Sequence, residues 1–578
     1  MAYDLLVKNG RVVDGSGMPS FHGDVAVKDG RIAEIGKVRG EAHRVIDAEG
    51  QAVAPGFIDN HCHYDAQVTW DPLCTFSCYH GATSVIIGNC SLTLAPVRDG
   101  DHYALAQMLS RVEAIPIEAL EAGVNWSWNT VAEYMDALDK RLGVNVGVLI
   151  GHSAVRRYVM GEASQDRDAT GPEVEEMKAI VREGMAAGAL GFSVSRNQGH
   201  FDLAGKPLPA IVAPTEELFA LASVVGEMGT GIVQCGGGTL PEMKEDLCSK
   251  LSQVSGRPVV YNNITHRWSA PNQWKEHLSF LEDTVSRGNR AFPLISPRSN
   301  NTRFTMLNAQ VFDRLPAWKP VMEGTPQEKM QAFRDPVMRK KLRLEAVEGA
   351  DVSYNAFSRR WDYFFVTKPV LEKNHDLKGK SIAQIAQEQG KDILDAFLDL
   401  VLEENLETGF ELNQSGGDEE AMAQMLTSPY PVIGLSDGGA HVIYDAGYGY
   451  STHFLGHWVR EKGIMPLEEA VRKLTFVPAS LFGMYDRGLL RPGLTADLVI
   501  FDPDTIDSLE PEEVQDFPAG SKRLAQFSKG IGYTIVNGEV LIEKGEHTGA
   551  YPGRVVRNSN YRASDGHITG QETRRNLG

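Results

Sequence analysis

The stretch AVAPGFIDNHCHYD, residues 52–65, is an apolar run that ends in two histidines, His61 and His63. In a β-strand, side chains two positions apart point to the same face. We therefore expect the two imidazoles to lie side by side, with Cys62 on the opposite face. Two imidazoles at a strand end can bind one metal ion. The alternative is a pair of solvated loop histidines. Residues elsewhere in the chain are needed to distinguish this alternative from a metal site.

Apolar runs of the same kind recur along the middle of the chain, with helix-like segments between most of them. Including the first, they begin near positions 51, 82, 145, 188, 229, 258, 289 and 430. Near-continuous apolar strands are typical of a sheet buried on both faces. Eight of them with helical connections predict an α/β fold built on a TIM-like (β/α)₈ barrel over about 54–483. The long stretch at about 300–430 is predicted to be an insertion or lid.

The two ends of the chain have a different pattern from the middle. Short alternating strands with Asn-Gly or Asp-Gly turns occur in KNGR (8–11), KDGR (28–31) and YTIVNGEVLIEKG (533–545). These dipeptides are a strong hairpin signal. Because chain termini often lie close together, residues 1–53 and 484–578 are predicted to form one composite β-sandwich.

Charge and composition argue against a nucleic-acid-binding protein and against a membrane protein. The 578 residues carry a formal net charge of −19, with 42% hydrophobic and 23% charged residues. A nucleic-acid-binding or polybasic membrane-surface protein would be basic. No run approaches the ~18 apolar residues of a membrane span, and no signal-peptide pattern is seen. We therefore expect a cytoplasmic protein with a small-molecule ligand and no nucleic-acid or membrane partner; a homo-oligomer is left open.

Ionisable or metal-binding side chains lie at the end of nearly every predicted barrel strand. They are His61, His63, Cys90, His152, Arg196, His266, Arg298 and Asp437. Barrel enzymes carry their chemistry at the carboxyl ends of the strands. This clustering favours a metal site over solvated loop histidines.

The same residues carry a family resemblance. The segments APGFIDNHCHYD, SVIIGNCSLTLAP, GHSAVRRYVMG, GALGFSVS, NNITH and GLSDGGAH resemble the amidohydrolase superfamily, and more narrowly its D-aminoacylase group. TVAEYMDALDK (130–140), the segment 478–506 and HTGAYPGRVVR (547–557) extend the resemblance over most of the chain. The resemblance implies a TIM-like barrel with a small β-sandwich from both termini, as predicted above.

The resemblance also implies a zinc-dependent hydrolase of amide bonds, such as N-acyl amino acids, with one or two ions. The implied metal ligands are His61, His63, Cys90, His266 and Asp437, with Asp437 also the general base and acid. Candidates for substrate binding are His152, Arg196, Arg267, Arg298 and His441. A cyclic amide or lactone hydrolase, and a non-catalytic ligand-binding barrel, remain as alternatives.

Two positions depart from the family pattern. Gly236 stands about where the family has a histidine on the fifth strand, which leaves Gln234 or Cys235 as substitutes. Trp268 stands where a lysine usually binds the substrate carboxylate, so we expect a bulkier and more aromatic pocket. A substrate carboxylate would then need an arginine, whose planar fork suits it. Arg303 joins the three arginines named above as a candidate, although each could equally form a structural ion pair.

Overall fold

The computed structural model describes residues 2–237, 247–349 and 357–562. The chain divides into two compact units. The first comprises Met1–Ile264, Leu278–Pro297 and Leu426–Gly578, and the second comprises Thr265–His277 and Arg298–Met425. Among the described residues, no helix combines the length and hydrophobicity needed to cross a lipid bilayer.

The strands of the described residues are β1 (Tyr3–Val12), β2 (Phe21–Lys28), β3 (Arg31–Gly36), β4 (Ala42–Asp47), β5 (Ala52–Pro55), β6 (Phe57–Asp59), β7 (Ala82–Ile87), β8 (Asn145–Gly151), β9 (Gly191–Ser195), β10 (Ile232–Gly236), β11 (Val259–Tyr261), β12 (Ala291–Ile295), β13 (Asn300–Phe304), β14 (Phe364–Lys368), β15 (Gly409–Ser415), β16 (Val432–Ile433), β17 (Leu498–Phe501), β18 (Asp507–Ser508), β19 (Glu512–Val514), β20 (Arg523–Ala525), β21 (Ser528–Lys529), β22 (Ile531–Val536), β23 (Glu539–Glu543), β24 (Glu546–His547) and β25 (Val555–Val556).

The α-helices of the described residues are His102–Glu113, Ile117–Gly123, Val131–Leu138, His152–Met160, Gly171–Ala186, Pro209–Val212, Thr215–Glu227, Leu247–Ser255, Gln273–Ser286, Lys319–Met322, Pro326–Arg334, Pro336–Ala346, Ile382–Gln389, Ile393–Glu403, Glu419–Thr427, Tyr450–His453, Leu467–Leu474 and Phe476–Phe482.

The first unit contains the predicted TIM-like barrel. Its parallel strands run in the order β16-β12-β11-β10-β9-β8-β7-β6, and each of the eight predicted apolar runs supplies one of them. Sheets that are covered on both faces need such apolar strands. A single hydrophobic cluster takes one residue from each strand or its immediate start: Ile58, Ile86, Leu149, Leu190, Ile232, Val260, Leu294 and Val432. The predicted α/β barrel fold is confirmed.

Hydrogen bonds link the first barrel strand to the last. Asn60 donates its side-chain N–H to Ile433 O at 2.9 Å. Asp437 donates its backbone N–H to His61 O at 3.2 Å. These links connect the ends of β6 and β16 and bring His61 next to Asp437.

Strands from both ends of the chain share a second sheet within the first unit. The order is β24-β23-β22-β17-β5-β1-β2-β3, and β4 pairs with β1 on the same edge as β5. Strand β5 lies between β1 and β17, so the two ends of the sequence meet there. Two further short pairs, β18–β21 and β19–β20, lie in the carboxyl-terminal part of the chain, and β25 pairs with the barrel strand β8. The domain boundaries given above stay a prediction.

The second unit holds the antiparallel sheet β13-β15-β14 and several helices, and it overlaps most of the predicted insertion. Its core is rich in aromatic side chains. Phe312 stacks on Trp318 with ring centroids 4.2 Å apart, and Phe364 packs on Phe397 at 5.1 Å. Two aromatic-rich segments of the sequence, RLPAWKP (314–320) and SRRWDYFF (358–365), therefore contribute chiefly to this core.

Candidate metal centre

The two histidines of the opening motif lie together, but not within a strand. Strand β6 ends at Asp59, and the loop after it carries both imidazoles, with ring centroids 5.2 Å apart and a 77° angle between the planes. The Cys62 thiol donates to Ile86 O at 3.1 Å. His63 donates its backbone N–H to Gly438 O at 2.7 Å. The loop is thus held by its neighbours, and both histidines are buried.

Cys90 follows β7 in a backbone conformation that non-glycine residues rarely adopt. Its φ is 53° and that of Ser91 is 64°. Such conformations cost on the order of 1–3 kcal/mol each and persist where the surroundings enforce them. Here Cys90 N–H donates to Gln234 Oε1 at 2.8 Å and Ser91 N–H donates to Ser193 Oγ at 3.1 Å. The loop therefore has a fixed shape that presents the thiol.

His61, His63 and Cys90 form a compact set of ligand atoms, all within 4.8 Å of one another. Cys90 Sγ lies 3.6 Å from His61 Nε2. Asp437 Oδ1 lies 3.4 Å from His61 Nε2 and 3.8 Å from His63 Nε2. Imidazole nitrogen, thiolate sulfur and carboxylate oxygen are the donors that zinc takes in proteins. The residues therefore fit a zinc ion.

Burial sets the protonation of these groups. It lowers the pKa of His61 to about 3 and holds the pKa of His63 well below its usual range. Both imidazoles are therefore neutral near pH 7, which is the form that binds metal. Burial also raises the pKa of the Cys90 thiol, so a bound cation is needed to stabilise its thiolate. The protonation states of these groups therefore favour the binding of a cation.

Glu113 and His200 also lie at this site, and neither was predicted from the sequence. Glu113, at the end of the helix His102–Glu113, places Oε1 3.4 Å from His63 Nδ1 and Oε2 3.9 Å from His441 Nε2. Burial raises the pKa of Glu113 well above its usual range and lowers that of His200 to about 4, to which His441 contributes. Neither residue stands in a motif, so no local signal could have found them.

His152 and Arg196, two predicted substrate-binding residues, are engaged with the protein itself. His152 Nε2 lies 2.8 Å from Glu217 Oε1, and the other oxygen of this buried carboxylate accepts from Arg156. Arg196 donates to Ala213 O at 2.8 Å. Both residues have a structural role here, and their contact with a substrate stays a prediction.

His441 lies close to the candidate metal ligands, with its Nε2 3.9 Å from Glu113 Oε2. Its backbone N–H donates to Glu113 O at 2.5 Å, and its Nδ1 is 2.9 Å from the Tyr444 hydroxyl. Burial lowers its pKa. The imidazole is therefore held in place and uncharged, while its contact with a substrate stays a prediction.

His266 and Trp268 belong to the second unit. His266 Nε2 lies 3.9 Å from Asp418 Oδ2, and its ring meets the Trp268 ring edge-on at 4.6 Å. The Arg360 guanidinium lies over Trp268, 3.8 Å from the ring centroid. Trp268 is thus part of a stacked cluster, and the role of His266 as a metal ligand stays a prediction.

The three remaining candidate arginines also belong to the second unit. Arg303 Nε donates to Glu411 Oε2 at 2.6 Å, so this arginine forms the structural ion pair given above as its alternative role. Arg267 pairs with Ser415 through a backbone bridge. Arg298 is half-buried at the start of a segment of this unit. Carboxylate binding by Arg267 or Arg298 stays a prediction.

The absence of a histidine at position 236, on the fifth barrel strand β10, has a steric reason. A Cβ atom at Gly236 would lie 2.6 Å from Cys90 Sγ and 2.9 Å from Cys90 Cα, which leaves no room for a side chain. Cys235 Sγ approaches Gly237 O at 3.9 Å and is outside the ligand set of the described residues. Gln234 uses its amide on the Cys90 backbone. Cys90 therefore takes the space that a larger residue at 236 would need.

Comparisons with known proteins show which family the chain belongs to. The family model described as "Amidohydrolase family" matches residues 44–542. A D-aminoacylase of Alcaligenes xylosoxydans xylosoxydans is 28% identical, over 96% of this chain and 97% of its own. The solved N-acyl-D-glutamate deacylase of Bordetella bronchiseptica, complexed with zinc and a phosphonate inhibitor, has a TM-score of 0.65 and 26% identity, over 96% of this chain and 100% of its own.

A solved D-aminoacylase structure that concerns the functional role of its binuclear metal centre is also similar. It has a TM-score of 0.64 and 25% identity, over 96% of this chain and 100% of its own. The resemblance inferred from the motifs is confirmed. The chain therefore belongs to the amidohydrolase family and is a metal-dependent hydrolase of carbon–nitrogen bonds.

Proposed function

We propose that this protein is a zinc-dependent deacylase of N-acyl amino acids, with D-enantiomers as the first substrates to test. The main observation that supports this proposal is the position of Asp437. Its carboxylate lies within 3.8 Å of both buried imidazoles, yet its side chain is 31% exposed. The ligands are thus enclosed while the group that would handle protons faces solvent. The names of the relatives support the acyl amino acid as substrate class.

His61, His63, Cys90 and Asp437 would hold the zinc, and one ion is the stoichiometry that this set favours. When bound, zinc supplies Lewis acidity, which activates water near neutral pH and polarises the scissile carbonyl. His266 stays a further ligand predicted from the resemblance. The small-molecule substrate, the cytoplasmic compartment and a homo-oligomer remain proposals from the sequence.

Asp437 and Glu113 would have distinct roles in the reaction. Asp437 accepts a proton from the attacking water and then delivers it to the leaving nitrogen, which is general base and general acid catalysis. Glu113 faces Nδ1 of His63 at 3.4 Å. Once a bound cation favours its ionised form, this carboxylate would fix the tautomer of His63 and leave the Nε2 lone pair free for a metal.

Elemental analysis and a substrate panel test the proposal. The purified protein should contain zinc, His61→Ala should lose it, and the exposed-strand control His22→Ala should keep it. Asp437→Asn should retain zinc through the remaining ligands but lose about 10²–10⁴-fold in kcat.

The panel should contain N-acyl amino acids of both configurations, cyclic amides and lactones. The cyclic compounds are included because Trp268 replaces the usual lysine. Hydrolysis of cyclic compounds alone would contradict the deacylase proposal. A protein that neither contains nor takes up zinc would support the non-catalytic barrel instead.

A further inference from the structure

Two side-chain amides connect the backbone of Cys90 to its own sulfur. The Cys90 N–H donates to Gln234 Oε1 at 2.8 Å, and Gln234 Nε2 donates to Asn262 Oδ1 at 3.2 Å. Asn262 Nδ2 then lies 3.5 Å from Cys90 Sγ and 3.4 Å from His61 Nε2. The amide nitrogen therefore lies beside two of the ligand atoms.

The direction of these bonds is fixed at one end. A backbone N–H can only donate, so Gln234 must turn its oxygen towards Cys90 and its NH₂ group towards Asn262. Asn262 must in turn use its oxygen for Gln234, which leaves its NH₂ group for the sulfur. Side-chain amides are otherwise assigned only from such networks. Asn262 is also held by its backbone N–H, which donates to Cys235 O at 3.0 Å.

This orientation suits a thiolate. A sulfur that carries negative charge accepts hydrogen bonds, and a donor at this place stabilises the charge in a buried site. His61 Nε2 accepts from the same NH₂ group, whose two N–H bonds serve two acceptors. When His61 binds a metal through Nε2, the other N–H bond stays with the sulfur.

We propose that Asn262 is a positioning residue that donates an N–H bond to the Cys90 thiolate, and that Gln234 fixes the direction of this bond. The inference rests on Cys90 as a metal ligand of the proposed function. Withdrawing charge from the sulfur leaves the metal more electron-poor and thus a stronger Lewis acid. Asn262 would then influence the reaction without touching the substrate.

Cobalt(II) substitution tests this inference by a readout other than activity. Thiolate-to-cobalt charge transfer gives an absorption band whose energy falls when the sulfur loses a hydrogen-bond donor. Asn262→Leu, which keeps the approximate volume, should move the band to longer wavelength at unchanged cobalt stoichiometry. The kcat of the zinc enzyme should fall by about 10–100-fold, with little change in KM.

Gln234→Met tests the relay, because it leaves Asn262 in place but removes the group that orients it. We expect the same band shift, smaller in size. Gln253 and Asn289 are matched controls, since Gln253 Nε2 donates to Asn289 Oδ1 at 3.2 Å away from the ligands. Gln253→Met and Asn289→Leu should leave the band where it is.

The cobalt spectra of the wild-type protein and of the variants can each support or overturn the proposed role of Asn262. An unchanged band in Asn262→Leu, or a wild-type protein with no thiolate band, would overturn it. If Asn262→Leu binds no cobalt, an unchanged band in Gln234→Met overturns it. A band that shifts as expected in a protein that hydrolyses no N-acyl amino acid would leave this inference standing and refute the proposed substrate class.

Discussion

Asn60 joins the first barrel strand to the last, because its side-chain N–H donates to Ile433 O at 2.9 Å across 373 residues of sequence. Gly434 lies directly against the same amide, since a Cβ at this position would come within 2.0 Å of Asn60 Oδ1. The next residue after Asn60 is the predicted ligand His61. The closure of the barrel and the placement of the ligand thus depend on neighbouring residues.

Asn60→Ala should lower the free energy of unfolding by about 2 kcal/mol, because it leaves a buried carbonyl without a donor. Asn560→Ala is the control, since this exposed amide makes the same kind of bond to Met228 O at 2.8 Å. We expect a loss below about 1 kcal/mol there. Chemical denaturation of both variants measures the difference, and equal losses would contradict a special role in closure.

Gly236→Ala should damage the metal centre. The new Cβ would press on Cys90 Sγ and Cα, so we expect a loss of about 1–3 kcal/mol in stability and a lower zinc content. Gly171→Ala is the matched control, because a Cβ there meets no atom within 4 Å. It should be neutral or stabilise by up to about 1 kcal/mol. Full zinc content in Gly236→Ala would show that the thiol can move without loss of binding.

Glu217→Gln should destabilise the protein by about 3–5 kcal/mol, because it leaves the buried Arg156 guanidinium without its anion. Glu227 lies on the same helix, Thr215–Glu227, and forms an exposed ion pair with Arg182 at 2.7 Å. Glu227→Gln should therefore cost less than about 1 kcal/mol. Thermal unfolding of the two variants tests this contrast, and similar midpoints would refute it.

Acidification should destabilise the protein in part through His277. Burial lowers the pKa of His277 to about 4, and Arg267 contributes. The unfolded chain therefore binds this proton below about pH 6.5, whereas the folded chain does not until about pH 4, so stability falls as the pH drops through this window. The difference amounts to about 2 kcal/mol at pH 5.

His277→Asn should remove this part of the pH dependence, and the exposed His22→Asn should not. Urea denaturation at pH 7.5 and pH 5 gives the comparison. An identical loss of stability in His277→Asn and the parent protein would contradict the assignment.

Hydrophobic pattern was sufficient to predict the barrel strands, because a strand buried on both faces leaves a continuous apolar run. His61, His63, Cys90 and Asp437 could be predicted as candidate ligands for a related reason, since each follows such a run directly. The end of β6 at Asp59 could not be predicted, because it depends on hydrogen bonds from residues far along the chain, such as that of Asp437 to His61.

Glu113, His200 and Asn262 were not identified because their roles arise only from tertiary contacts. Glu113 occupies the last turn of a helix whose other residues follow an ordinary apolar pattern. Asn262 lies in the quoted NNITH segment, but its amide is directed by Gln234 on another strand. A single sequence does not show such pairings, and the resemblance implied only the ligands of the family itself.

Strand β5 pairs with β1 on one side and with β17 on the other, so its second partner is made about 440 residues after it. At about 5–20 residues per second, a ribosome needs roughly 20–90 s to cover that distance. For this period the nascent chain carries an open strand edge next to the first barrel strand, and such edges are templates for aggregation. A slower synthesis or a smaller chaperone supply should therefore lower the yield of this protein by giving that edge more time to aggregate.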